Sequence, residues 1–178
     1  MTWNPDDFEE LAGQLRREVG GEFRAEAEEV ERLTDLQRRR RAGLAEVAMA
    51  AMHRGDQVTV RTRSGTWIGE LVAVGDDYIS LQALDVKIEA LVDAVALDLR
   101  PSRVGGRSGK PASATWRARL AELAVTQETV TVMAPDLGVE AHGQIDLVAR
   151  DHVVITGLTG RTYIPLISLT IVLRTVPS

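Results

Sequence analysis

The chain has 178 residues, 44% of them apolar, and its 21 basic and 26 acidic side chains give a net charge of −5. It has no cysteine, which excludes disulfides and thiolate chemistry, and no run near the roughly 20 apolar residues of a membrane-spanning helix. The acidic opening MTWNPDDFEE lacks the basic-then-apolar order of a signal peptide, so the expectation is a soluble, cytoplasmic protein with no membrane partner.

Residues 4–19 read as a short helix. Asn4 can cap it, Pro5 suits the first helical position, and Asp6, Asp7 and Glu9 favour the positive end of the dipole. Phe8, Leu11, Leu15 and Val19 form its apolar stripe, and Gly20-Gly21 ends it. Residues 22–52, rich in Ala, Glu and Arg, predict a longer helix. A heptad reading puts Phe23, Val30, Leu33, Leu44, Val47 and Ala51 on its core seam, interrupted by Gln37 and Arg40. Its small, apolar last turn suits packing on a β unit.

Five strands follow. Val58 and Val60 alternate with Thr59 and Arg61, Arg63 to Thr66 make a hairpin turn, and Trp67–Val74 is a second strand in which Gly69 suits a bend or bulge. Tyr78–Leu81, Lys87–Leu91 and Val95–Leu99 complete the set. Residues 100–112 are a flexible linker rich in Gly, Ser, Pro and Arg. Ser113–Val125 predicts a helix with Trp116, Leu120 and Leu123 on one face.

What comes next repeats what came before. VTVRTRSGTWIGELVAVGDDYISL (58–81) is matched by VTVMAPDLGVEAHGQIDLVARDHVVI (130–155), and IEALVDAVALDLRP (88–101) by IPLISLTIVLRTVP (164–177). Internal self-similarity decides architecture before local pattern does. The plan is a helix and five short strands, stated twice, with a longer first turn the second time. Units of about fifty residues bury too little surface to stand alone, so they should lean on each other, on the N-terminal helices or on a second chain.

The residues Val58–Leu81, with Ser64-Gly65 in the first turn, Gly69 in the bent strand and Asp77 before the third, resemble the first motif of the Sm-like small barrels. Ile164-Pro165-Leu166 and Ile171-Val172-Leu173 resemble the closing strands of such barrels. The resemblance implies an α+β, mainly β fold. A helical arm (1–52) leads into a first Sm-like or SH3-like five-stranded barrel (53–100). A basic linker (101–112) then joins it to a helix plus second barrel (113–178), so each barrel is preceded by a helix. Two departures bear on ligand chemistry: Tyr78 and His152 replace the family's Asn, and only Gly160-Arg161 is reminiscent of its second motif.

No catalytic constellation stands out. GGRSGK (105–110) sits between strand and helix as a phosphate loop would, but Val104 occupies the first glycine's place and Pro111 that of the magnesium-binding hydroxyl. His53, His142 and His152 lack metal-ligand spacing, and there is no nucleophile elbow. The expectation is a non-enzyme with no cofactor and no metal.

Charge is uneven. Residues 1–56 hold 9 basic and 13 acidic side chains, 57–99 hold 3 and 7, 100–128 hold 6 and 2, and 129–178 hold 3 and 4. The positive clusters nominate a phosphate-contacting surface: Arg38, Arg39, Arg40, Arg41, Arg100, Arg103, Arg107, Lys110, Arg117 and Arg119. Trp67 and Trp116 could stack bases or fill the core. The first functional expectation is a regulatory protein that binds RNA or DNA with low sequence specificity. The alternative is an assembly module that forms homo-oligomers through barrel edges and N-terminal helices. The acidic balance counts against the first.

Overall fold

The structure, a computed structural model, describes residues 30–34, 42–102, 105–106 and 113–175. The chain divides into two compact units, Met1–Ala42 and Gly43–Ser178. In the first, residues 30–34 are helical and the Thr34 hydroxyl donates to the Val30 carbonyl at 2.8 Å. Val30 and Leu33, assigned to a core seam by the heptad reading, are exposed. The helix expected over 4–19 lies outside the described residues.

The second unit opens with helix α1, Leu44–Arg54. Ala42 and Gly43 are not helical, so the helix expected over 22–52 is interrupted there. Gly43 is extended and caps α1, its N–H donating to the Glu46 carboxylate at 3.2 Å. Gly55 ends the helix in the left-handed region, φ 73°. The buried face is Ala48, Ala51 and Met52; of the heptad residues on this helix Ala51 is buried and Leu44 and Val47 are exposed, and small side chains let the helix lie close on β2.

The strands are β1 (Gln57–Thr62), β2 (Gly65–Val74), β3 (Tyr78–Ala83), β4 (Val86–Leu91) and β5 (Ala96–Arg100). Helix α2 (Trp116–Thr126) follows, then β6 (Thr129–Ala134), β7 (Val139–Val148), β8 (His152–Gly157), β9 (Gly160–Pro165) and β10 (Ile171–Thr175). The repeat holds element by element. Each helix has 11 residues and ends on a left-handed residue, Gly55 or Gln127. Val58 faces Gly69 as Val130 faces Gly143, and the ladder shifts register at Leu71/Ala73 as at Ile145/Leu147.

The two glycines are explained by close approach rather than by the bulge, which lies beyond them. A Cβ on Gly69 would sit 2.0 Å from the Gln82 carbonyl oxygen, and one on Gly143 2.2 Å from that of Thr156. The bare backbone lets the neighbouring strand cross there.

The expectation of two tandem five-stranded barrels, each preceded by a helix, is overturned. The ten strands form one open antiparallel sheet in the order β5-β1-β2-β3-β4-β10-β6-β7-β8-β9. After β4 a 3-10 turn, Val92–Ala94, redirects the chain so that β5 returns to the outer side of β1. That leaves the outer edge of β4 open, and β10 takes it, from Ile171 opposite Ala90 to Thr175 opposite Val86. Unsatisfied strand edges seek partners, and here the partner is the other half of the same chain.

Two hydrophobic clusters result. Val58, Val60, Leu71, Leu81 and Ile88 centre the first, and Trp116, Leu120, Val132, Ile145, Ile155 and Ile164 the second. Each borrows across the β4–β10 seam. Ile171 of β10 lies in the first cluster and Tyr78 of β3 in the second.

Candidate functional site

The seam holds the densest polar chemistry among the described residues. Glu89, on β4, is 0% exposed. A carboxylate so placed needs several donors to replace its hydration. Arg119 Nη2 lies 2.6 Å from Oε1, Arg174 Nη2 3.5 Å and Lys87 Nζ 3.9 Å, while the Ser80 hydroxyl donates to Oε2. The arginines are paired a second time, Arg119 to Glu122 at 2.6 Å and Arg174 to Glu128 at 2.7 Å. Burial works against the Arg119 charge, but Glu89 and then Glu122 outweigh it and hold its pKa above the ordinary value. Burial pulls the Lys87 ammonium below its ordinary value, with Glu89 opposing.

Around this cluster α2 clamps the first half. The Trp116 backbone N–H donates to Asp77 Oδ1 at 2.6 Å, and its ring lies 6.2 Å from that of Tyr78. The Tyr78 hydroxyl donates to the Ser113 carbonyl at 3.0 Å. Sequence reasoning missed Glu89. Its signal was Lys87 and Glu89 two apart in a predicted strand, hence two charges on one face, but their countercharges stand far along the chain.

Of the nominated cations, Arg38, Arg39, Arg40, Arg41, Arg103, Arg107 and Lys110 lie outside the described residues. Arg100 is exposed at the end of β5. Arg117 is exposed on α2 and donates to the Arg150 carbonyl at 2.9 Å. Arg119 is spent on Glu89 and Glu122. Trp67 is half-buried against the first cluster, above Gly65. Trp116 is only 4% exposed, and its indole N–H donates to the Leu169 carbonyl at 3.2 Å, so this ring serves the core.

The sheet ends differ from the seam. Among the described residues β5 pairs only with β1, and β9 only with β8. On β5, Asp98 is exposed and paired to Arg61 at 2.7 Å. On β9, Tyr163 is 63% exposed, with its ring 5.8 Å from that of His152. His152 Nδ1 lies 2.7 Å from Asp151, and this hydrogen bond lowers the Asp151 pKa.

Among the described residues no group of His, Asp and Glu is placed to hold a metal, and no helix is long and apolar enough to cross a membrane. No protein-family model matches the chain, and no curated protein is similar to it. The Sm-like resemblance thus rests on the quoted residues alone.

Proposed function

We propose that this chain is a non-catalytic protein-interaction module that works by strand addition at the ends of its sheet. The observation that carries this reading is the β4–β10 seam. It is an edge-to-edge junction already built within the molecule, and it leaves β5 and β9 as the terminal strands. An unpaired edge offers a row of N–H and C=O groups to an incoming strand. The nucleic-acid reading gains less. Arg119 is neutralised, Trp116 is in the core, and the whole chain carries −5.

The test is amide hydrogen exchange of the isotope-labelled full chain, in buffer and in cell extract, alongside titration with mixed RNA and duplex DNA at two salt concentrations. Protection of the outward β5 or β9 amides in extract, with no salt-sensitive nucleic-acid binding, is the expected result. Edges that exchange freely in extract, together with binding that weakens steeply with salt, would transfer the function to a polyanion partner.

A further inference from the structure

The repeat lets the seam serve as a template for the two terminal strands, β5 and β9. In the first half Leu71 faces Leu81, which faces Ile88; in the second Ile145 faces Ile155, which faces Thr162. Glu89 therefore corresponds to Tyr163. Likewise Val60 faces Leu97 as Val132 faces Val172, so Leu97 corresponds to Val172. Leu44 opens α1 as Trp116 opens α2, which sets Val47 where Arg119 stands.

At the seam Val172 faces Glu89, and Arg119 of the helix reaches over to that carboxylate. At the sheet ends the Glu89–Arg119 pair is replaced by apolar side chains, while the Lys87 position keeps a cation, Lys87 facing Gln82 as Arg161 faces Thr156. Tyr163 stands for Glu89 and is 63% exposed, and Val47 stands for Arg119 and is 36% exposed. Leu44, in the place of Trp116, is also 36% exposed, and His152 stands where Tyr78 does. Both sides of the interface have changed together, from an ion pair to an apolar pair. Replacing an ionic cluster by apolar side chains of matching position keeps or improves a junction. A charge on one side alone would ruin it.

We infer, on the strength of the interaction-module reading, that the partner is a second copy of this chain. It docks head to tail, β9 of one copy against β5 of the next in the register of the seam, with Tyr163 of one copy covered by Leu97 and Val47 of the other. The remaining opposed pairs of that register are Ala96 with Ile164, Asp98 with Thr162, whose hydroxyl can donate to the carboxylate, Leu99 with Arg161, and Arg100 with Gly160. The contact is heterologous, so repetition gives a closed ring or an open filament.

Sedimentation velocity of the full chain from about 1 μM to about 0.5 mM tests this. The wild type should grow beyond a monomer with concentration. Val47→Arg and Tyr163→Glu should each weaken association about 100-fold, because each buries one unpaired charge. Both positions are exposed in the single chain, so the melting curves should stay close to wild type. An equimolar mixture of the two variants should reassemble as an alternating polymer. In it the introduced guanidinium meets the introduced carboxylate at one junction, and Val47 meets Tyr163 at the next. A mixture that stays monomeric, or single variants that assemble like wild type, overturns the proposed register. A monomeric wild type whose edge amides become protected in extract overturns self-pairing and leaves the interaction module standing. A monomeric wild type with edges unprotected in extract overturns both.

Discussion

At the scale of the residue, Glu89 decides how the two halves are joined. Its carboxylate answers Arg119, Arg174 and Lys87 in a place that water does not reach. Removing one member of a buried ionic set strands the rest, at a cost of about 3–5 kcal/mol. Glu89→Gln keeps the shape and loses the charge, so its unfolding free energy from denaturant titration should fall by that amount. Glu128→Gln removes a partly exposed partner of Arg174 and should cost under about 1 kcal/mol. Equal losses would mean that the seam owes little to its buried charge. Tyr78 gives a pH signature at the same place. Burial raises its hydroxyl pKa above the ordinary value near 10, with the Ser113 hydrogen bond opposing. The folded state then holds the proton more tightly than the unfolded chain. Its contribution is complete below pH about 10 and is lost as pH rises through the raised folded value. Tyr78→Phe should cost about 1 kcal/mol at neutral pH through the lost hydrogen bond. The gap between wild type and variant should narrow in alkali, as followed by denaturant titrations at several pH values.

At the scale of the element, the second half depends on a cap supplied by the first. Asp77 accepts from the Trp116 N–H at the start of α2, while Thr115 Oγ1 accepts from the Ala118 N–H at 3.3 Å. Asp77→Ala should cost about 1–2 kcal/mol and lower the thermal midpoint although the residue lies in the other half. Gly69→Ala and Gly143→Ala should each cost about 3 kcal/mol or more, because the new methyl meets a strand carbonyl that cannot retreat; chemical denaturation of each variant measures it. Much of this level was legible in the sequence. Period-2 alternation placed the strands, and Trp116, Leu120 and Leu123 marked the buried face of α2. The repeat placed the second set of strands. Helix α1 was read only in part: Ala51 lay on the heptad seam and is buried, but the heptad search took Leu44 and Val47 with it and passed over Ala48 and Met52. The glycines were noticed for the wrong reason, since a close crossing between strands depends on register and not on local composition. The β4–β10 junction was not legible at all. Self-similarity reveals two like units and is silent on which edges meet.

At the scale of the whole molecule, the seam ought to make the sheet unfold as one body. Two separate small barrels would each melt at their own midpoint. Here Ile171 completes the first hydrophobic cluster from the second half, Tyr78 enters the second cluster from the first half, and α2 is held by Asp77 and Glu89. Either half alone would expose these groups. Burying one large aliphatic side chain is worth about 1.5–3 kcal/mol, a sizeable share of the total stability of a small domain. Native-state hydrogen exchange should therefore give the central amides of β3 and those of β8 the same opening free energy. Ile171→Ala, which removes contacts from the first cluster while sitting in the second half, should lower both by the same amount, about 2–5 kcal/mol. Two distinct opening energies in the wild type, or a loss confined to β3, would mean that the halves fold independently and that the seam forms only after they do. In that case an incoming copy could displace β10 from β4. With a single shared opening energy the seam stays closed, and among the described residues the strands left to take a new partner are β5 and β9.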